Sequence, residues 1–261
     1  MLTDNPYAEL SALIPAVFMQ AYVATMMLCV AAGTLFDIVH KKSASYFFRN
    51  WRSVRESGHL SLDAGQVIAL GAKALLVDVL ASGEFCNVRR RIAHLMGMYG
   101  FLLYAVTTFV MVFAYSDSSI PTPVILPILW YLGGLLVCVG GYWFWFFIRV
   151  DVAAEGHSPF RLVRADLFIV SLLLSNTAGL VWAGLQSMGS SWSLVFLVVY
   201  LAATTLLFVS VPWSKFSHMF YKPAAALQKR IEDANGTRRN LPQPADEPDI
   251  FGRERGLPRN Y

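Results

Sequence analysis

Apolar residues in this chain come in five long blocks, and the segments between them hold nearly all of the charge. A helix of roughly 20 apolar residues covers the hydrocarbon core of a bilayer. The blocks are Leu10–Val39, Ile92–Tyr115, Val124–Ile148, Asp166–Gln186 and Ser193–Val211. A soluble domain would mix apolar and polar positions every few residues. The expected fold is therefore all-α: a polytopic membrane protein with a five-helix transmembrane bundle in residues 1–223.

The connections are unequal. The first, Ser43 to Arg91, is long and contains Arg49, Arg52, Arg55, Lys73, Arg89, Arg90 and Arg91. Within it, Val67, Ile68, Leu75, Leu76, Val79 and Leu80 recur at spacings that predict interfacial helices in 43–91. Residues 224–261 read as a polar cytoplasmic tail. Ala224–Ala234 can form one short helix, whereas Asn235–Tyr261 is rich in proline, glycine and charge and buries too little apolar area to order alone. The Asn235-Gly236-Thr237 sequon then lies in the cytoplasm and reads as chance. Lysine and arginine are absent from the N-terminal tail and from the second and fourth connections. They fill the first and third connections and the tail, which predicts the N-terminus outside and the C-terminus inside. The start, Met1-Leu2-Thr3-Asp4-Asn5-Pro6, has no basic n-region of a cleavable signal.

Composition agrees: 56% of residues are hydrophobic and 15% charged, with a formal net charge of +4. The basic residues flank spans, so the charge reads as a topology signal and not as a nucleic-acid surface. Of three cysteines, Cys29 and Cys138 lie in apolar blocks and Cys86 in a loop. With no Cys-x-x-Cys, this chain holds no iron–sulfur cluster by itself, and any such cluster belongs to a partner.

Two of the five histidines lie where a group between helices would reach them. His94 opens the second span, in Arg90-Arg91-Ile92-Ala93-His94. His218 follows the fifth span, in Val211-Pro212-Trp213-Ser214-Lys215-Phe216-Ser217-His218. Both fall on the expected inner side, where two imidazoles could ligate a haem iron or simply serve as interfacial histidines. Polar residues inside spans, Gln20, Thr34, Thr107, Thr108, Asn176 and Thr177, mark helix–helix hydrogen bonds or a ligand site. Gly133-Gly134 and Gly140-Gly141 predict a close helix contact. The aromatic run Tyr142–Phe147, with Trp130 and Tyr131, predicts an interfacial belt that could also seat a quinone ring.

The Pro212-x-Ser214-Lys215-x-x-His218 pattern resembles the end of the fifth helix of the nitrate reductase gamma-subunit family. Arg90…His94…Gly100-Phe101 is similar to that family's second-helix signature, and Asp166-Leu167-Phe168, Thr177, Gly179 and Leu180 to its fourth helix. The stretches around Glu84-Phe85-Cys86 and Trp213–Pro223 resemble the quinone-interacting branch and, most of all, the membrane anchors of adenylylsulfate reductase. The resemblance covers Leu75 to Pro223. It implies a subunit that docks a cytoplasmic flavin/iron–sulfur enzyme and links it to the quinone pool. It implies one haem b with His94 and His218 as metal ligands, and Arg90, Arg91 and Lys215 as cofactor-binding residues at its propionates. Two-haem members carry further histidines about ten positions after the first and 18 before the last. Here those positions are Tyr104 and Tyr200, so the outer site is lost. A purely structural anchor is the rival reading. A transporter is disfavoured, because the span centres lack Asp, Glu, Lys and Arg and five helices do not form two equal halves.

Overall fold

The computed structural model describes residues 2–40, 43–56, 62–83, 85, 87–149, 162, 166–213 and 218–237; for 43, 44, 46, 55 and 218–221 it describes the backbone alone. Among the described residues every regular element is helical. Five helices have the length and apolarity of a membrane span: α2 (Ala16–His40), α5 (Val88–Ala114), α6 (Ile125–Ile148), α7 (Leu167–Ser187) and α8 (Trp192–Val209). A short α1 (Pro6–Leu10) precedes them. Helices α3 (Ser43–Glu56) and α4 (Ala64–Lys73, continued as a π-helical turn Ala74–Leu80) follow α2, and α9 (His218–Ala234) follows α8. The last turn of α6, Phe144–Ile148, is also π-helical.

The chain divides into two compact units. The first, Met1–Lys41 with Ser82–His218, contains α1 and all five spans. Its packing is written in small residues. A β-carbon at Gly100 would lie 2.8 Å from the Gly133 carbonyl, and one at Gly140 2.8 Å from the Ala93 carbonyl, so α5 and α6 meet backbone to backbone. Consecutive helical residues point about 100° apart. The second glycine of each pair therefore faces another neighbour: Gly134 meets Leu180 and Gly141 meets Leu173, both on α7. The expected close contact is real, and each pair serves two helices. Gly33 of α2 likewise abuts Val211 and Pro212, just beyond α8.

Polar side chains in the spans mostly bond within or between helices. Gln20 donates to the Val112 carbonyl at 3.2 Å, the Tyr22 hydroxyl to the Leu201 carbonyl at 2.9 Å, and Ser175 pairs with Thr204 at 2.7 Å. Thr177 pairs with Tyr142 at 2.8 Å, and Asn176 donates to the Leu172 carbonyl of its own helix. The outer surface of the spans is apolar and exposed, as with Leu28 (68%) and Val198 (66%). In water such a surface would aggregate, whereas hydrocarbon accommodates it.

The second unit joins Lys42–Ala81 to Met219–Tyr261. Asp63 caps α4 reciprocally: its carboxylate accepts from the Gln66 N–H at 2.7 Å, and the Gln66 side chain accepts from the Asp63 N–H at 3.0 Å. Arg230 of α9 forks onto Asp78 at 2.5 and 2.7 Å, and that hydrogen bonding holds the guanidinium above its already high ordinary pKa. Asn235 is buried and donates to the Val54 carbonyl of α3 at 3.0 Å. One expectation shifts here. The helix after the fifth span begins at His218 and runs through Pro223, where the missing N–H removes one i→i−4 bond near the helix start. Beyond Ala234, the Asn235 amide finds a carbonyl on α3.

Candidate functional site

The start of α5 is set by Asn87, whose side chain accepts from the Arg89 N–H at 2.9 Å and the Arg90 N–H at 3.4 Å. Two turns on, His94 Nδ1 lies 3.0 Å from Ser82 Oγ, and its ring lies 4.9 Å from that of Phe85. Ser82 is buried and has φ 49°, a left-handed conformation uncommon for serine. Such backbone strain persists only where the surroundings hold it, and here it carries the hydroxyl to the imidazole. A metal-ligating imidazole typically hydrogen-bonds through one nitrogen and binds metal through the other. His94 has the hydrogen-bonded half of that arrangement, so it fits the role of an axial haem ligand. One turn further, a β-carbon at Gly97 would meet nothing within 4 Å.

The other expected site residues fall differently. Arg90 is exposed in the first turn of α5, and Arg91 is half-buried beside it. His218 is the first residue of α9, where the backbone alone is described, and Lys215 lies outside the described residues. His40 stacks on Phe36, with ring centroids 4.9 Å apart, while His59 and His157 lie outside the described residues.

At the level of Tyr104 and Tyr200 the bundle is filled by its own aromatic side chains. Both tyrosines flank Gly179: a β-carbon there would lie 2.5 Å from the Tyr104 hydroxyl and 3.1 Å from the Tyr200 ring. Tyr104 stacks on Trp130 at 4.8 Å, and Tyr200 on Trp182 at 5.7 Å. Tyr7 of α1 enters between them, edge-on to Trp130 at 6.0 Å and tilted on Trp182 at 5.5 Å. Its hydroxyl is 2.9 Å from the Tyr200 hydroxyl and 3.4 Å from Thr108, which also accepts from the Trp130 indole at 2.9 Å. Tyr7, Trp130 and Trp182 are 3%, 0% and 0% exposed. A porphyrin has no room here, and two phenols form a poor axial pair, so this level does not fit a second haem.

Sequence reasoning missed what closes that level. Helix α1 has five residues, too few for any periodic signal. Asn5 caps it through the Tyr7 N–H at 3.0 Å and anchors it by donating to the Tyr115 carbonyl at 2.8 Å and to Thr122 at 3.1 Å. Gln186 of α7 donates to the Pro6 carbonyl at 2.8 Å. Asp37 was also passed over. It is the single Asp or Glu in the five described spans and is 3% exposed, one turn from the end of α2. Its signal was a lone carboxylate within an apolar block.

No family model matches this chain, and no solved structure matches it significantly. Among curated proteins, it is similar to "Citrate utilization protein B" of Escherichia coli, 30% identical over 162 residues. The match takes in 60% of this chain and 41% of that protein, so the chain spans about two fifths of the length of the curated relative it matches.

Proposed function

We propose that this chain is the membrane subunit of a redox complex. It docks a cytoplasmic flavin/iron–sulfur enzyme at the inner face of a bacterial cytoplasmic membrane and links that enzyme to the quinone pool. The observation that carries the reading is His94, held through Nδ1 by a buried serine within the Arg90…His94…Gly100-Phe101 pattern. His94 and His218 would hold one haem b, with Arg90 or Arg91 and Lys215 meeting its propionates. The haem would supply one-electron transfer. Ser82 holds the ring plane of His94 through Nδ1, and the packed tyrosines and tryptophans keep water and lipid out of the other half of the bundle.

The proposed orientation is N-terminus out and C-terminus in, from the segregation of lysine and arginine. The proposed partner surface is the basic 49–91 region with the tail after Pro223, the long polar segments of the chain. The motif resemblance favours adenylylsulfate reductase as partner. The likeness to citrate utilization protein B favours an enzyme acting on a citrate-type carboxylic acid. A purely structural anchor is the second reading, favoured by the filled aromatic level around Tyr7.

The test is reconstitution of the purified chain in vesicles with each candidate enzyme and a short-chain quinone. Electron exchange between enzyme and quinone that requires the chain supports the linking role. Enzyme that binds the vesicles while electron exchange stays at the chain-free rate leaves the anchor alone.

A further inference from the structure

Helices α5 and α6 run antiparallel as neighbours, so the start of one and the end of the other lie at the same end of the bundle. Between those ends is a groove of about 470 Å³, lined by Asn87, Val88, Arg89, Arg90, Trp143, Phe147 and Ile148. That is the size of a small-molecule site. One side presents two guanidinium groups and the other two large aromatic rings. Both spans end here, which puts the groove at headgroup depth if the helices cross the bilayer.

The charges on this rim are not equivalent. Arg149 is already engaged: it lies 4.2 Å over the Trp145 ring and bonds Asp166 at 2.5 Å. Among the described residues, Arg89 and Arg90 are exposed and meet no carboxylate. Two such guanidiniums on one helical turn match a phosphodiester, because the planar fork pairs its oxygens in bidentate fashion. Phe147 is 69% exposed, an apolar surface in continuity with the charged one. A free phosphate would leave that surface uncovered, and a neutral quinone ring would leave both cations without an anion.

We propose that this groove is a binding site for an acidic phospholipid of the bilayer. Its phosphate sits on Arg89 and Arg90, and an acyl chain lies along Trp143 and Phe147. Basic pockets between transmembrane helices select anionic headgroups in this way. The inference leaves Arg91 to meet a haem propionate and does not depend on the partner enzyme.

The test uses the full chain, equilibrated in vesicles of phosphatidylcholine doped with phosphatidylglycerol, extracted into mild detergent and weighed by native mass spectrometry. One phosphatidylglycerol is expected to stay bound per chain, at least ten-fold enriched over phosphatidylcholine. Arg89→Gln with Arg90→Gln should lower that retention about ten-fold or more, and Arg89→Lys with Arg90→Lys should restore part of it. A second measurement needs no charge variant: brominated phosphatidylglycerol should quench tryptophan emission several-fold more than brominated phosphatidylcholine, and Trp143→Phe should remove the difference. Equal retention of the two lipids, equal retention by the glutamine variant, displacement of the lipid by inorganic phosphate, or quenching indifferent to Trp143 would each overturn the proposal.

Discussion

At the residue scale the molecule depends on who fills the space between helices. Tyr7, Tyr104, Tyr200, Trp130 and Trp182 form one packed aromatic cluster, and Tyr7 reaches it from outside the spans, its hydroxyl paired with that of Tyr200. Removing the Tyr7 ring leaves a cavity among fixed helices. Tyr7→Ala should therefore destabilise the protein by about 3 kcal/mol or more. Tyr7→Phe keeps the ring and loses the hydrogen bonds to Tyr200 and Thr108, which inside a bundle are worth roughly 1 kcal/mol. Thermal unfolding in one detergent measures both, and equal midpoints for the two variants would mean the ring is not packed as described. The glycines offer a second contrast. Gly133→Ala drives a methyl to 2.7 Å from the Tyr104 nitrogen and should cost about 1–3 kcal/mol. Gly97→Ala meets nothing within 4 Å, and alanine is the better helix former by up to about 1 kcal/mol. It should therefore be neutral or stabilising. The tyrosines at positions 104 and 200 were legible as packed side chains, since each lies within a long apolar block. Tyr7 was not, because nothing in a short proline-led segment says that its side chain ends in the core.

The elements repeat that lesson. Five spans were legible because twenty consecutive apolar residues have no other stable use. The described ends of those spans fall within a few residues of the expected ones, except that the first begins at Ala16 and not at Leu10. Proline at position 15 and the turn after α1 explain the difference. The π-helical turns of α4 and α6 have no compositional signature. The second unit was legible only in part. Its amphipathic helices could be read from spacing, but the pairing of Asp78 with Arg230 joins residues 152 positions apart, which no local pattern encodes. Asp78→Asn should release α9 from α4. Hydrogen exchange of the amides in 218–234 should then quicken about ten-fold, as expected for loss of a charge-assisted contact worth about 1.4 kcal/mol. Unchanged exchange would mean that Ala226 and Ile231 hold the helix by packing alone.

For the whole molecule, the candidate chemistry is polarised. His94 and the arginines of α5 stand at one end, and the closed aromatic level stands about 15 Å along the same helix. That arrangement suits a subunit that works at one face of the membrane. The segregation of lysine and arginine predicts that a cytoplasm-active reporter fused after Pro223 is active and one fused ahead of Asn5 is not; the reverse pattern would invert the proposed topology. The filled level at Tyr104 and Tyr200 leaves no room for a porphyrin there, and the proposed haem would rest on His94, which Ser82 hydrogen-bonds through Nδ1. The most direct measurement is the reduced-minus-oxidised optical spectrum of the purified chain, expressed with ample haem. The account predicts one low-spin b-type α-band at one haem per chain, abolished by His94→Ala and by His218→Ala. A wild-type protein without that band, or one carrying two haems per chain, would contradict it.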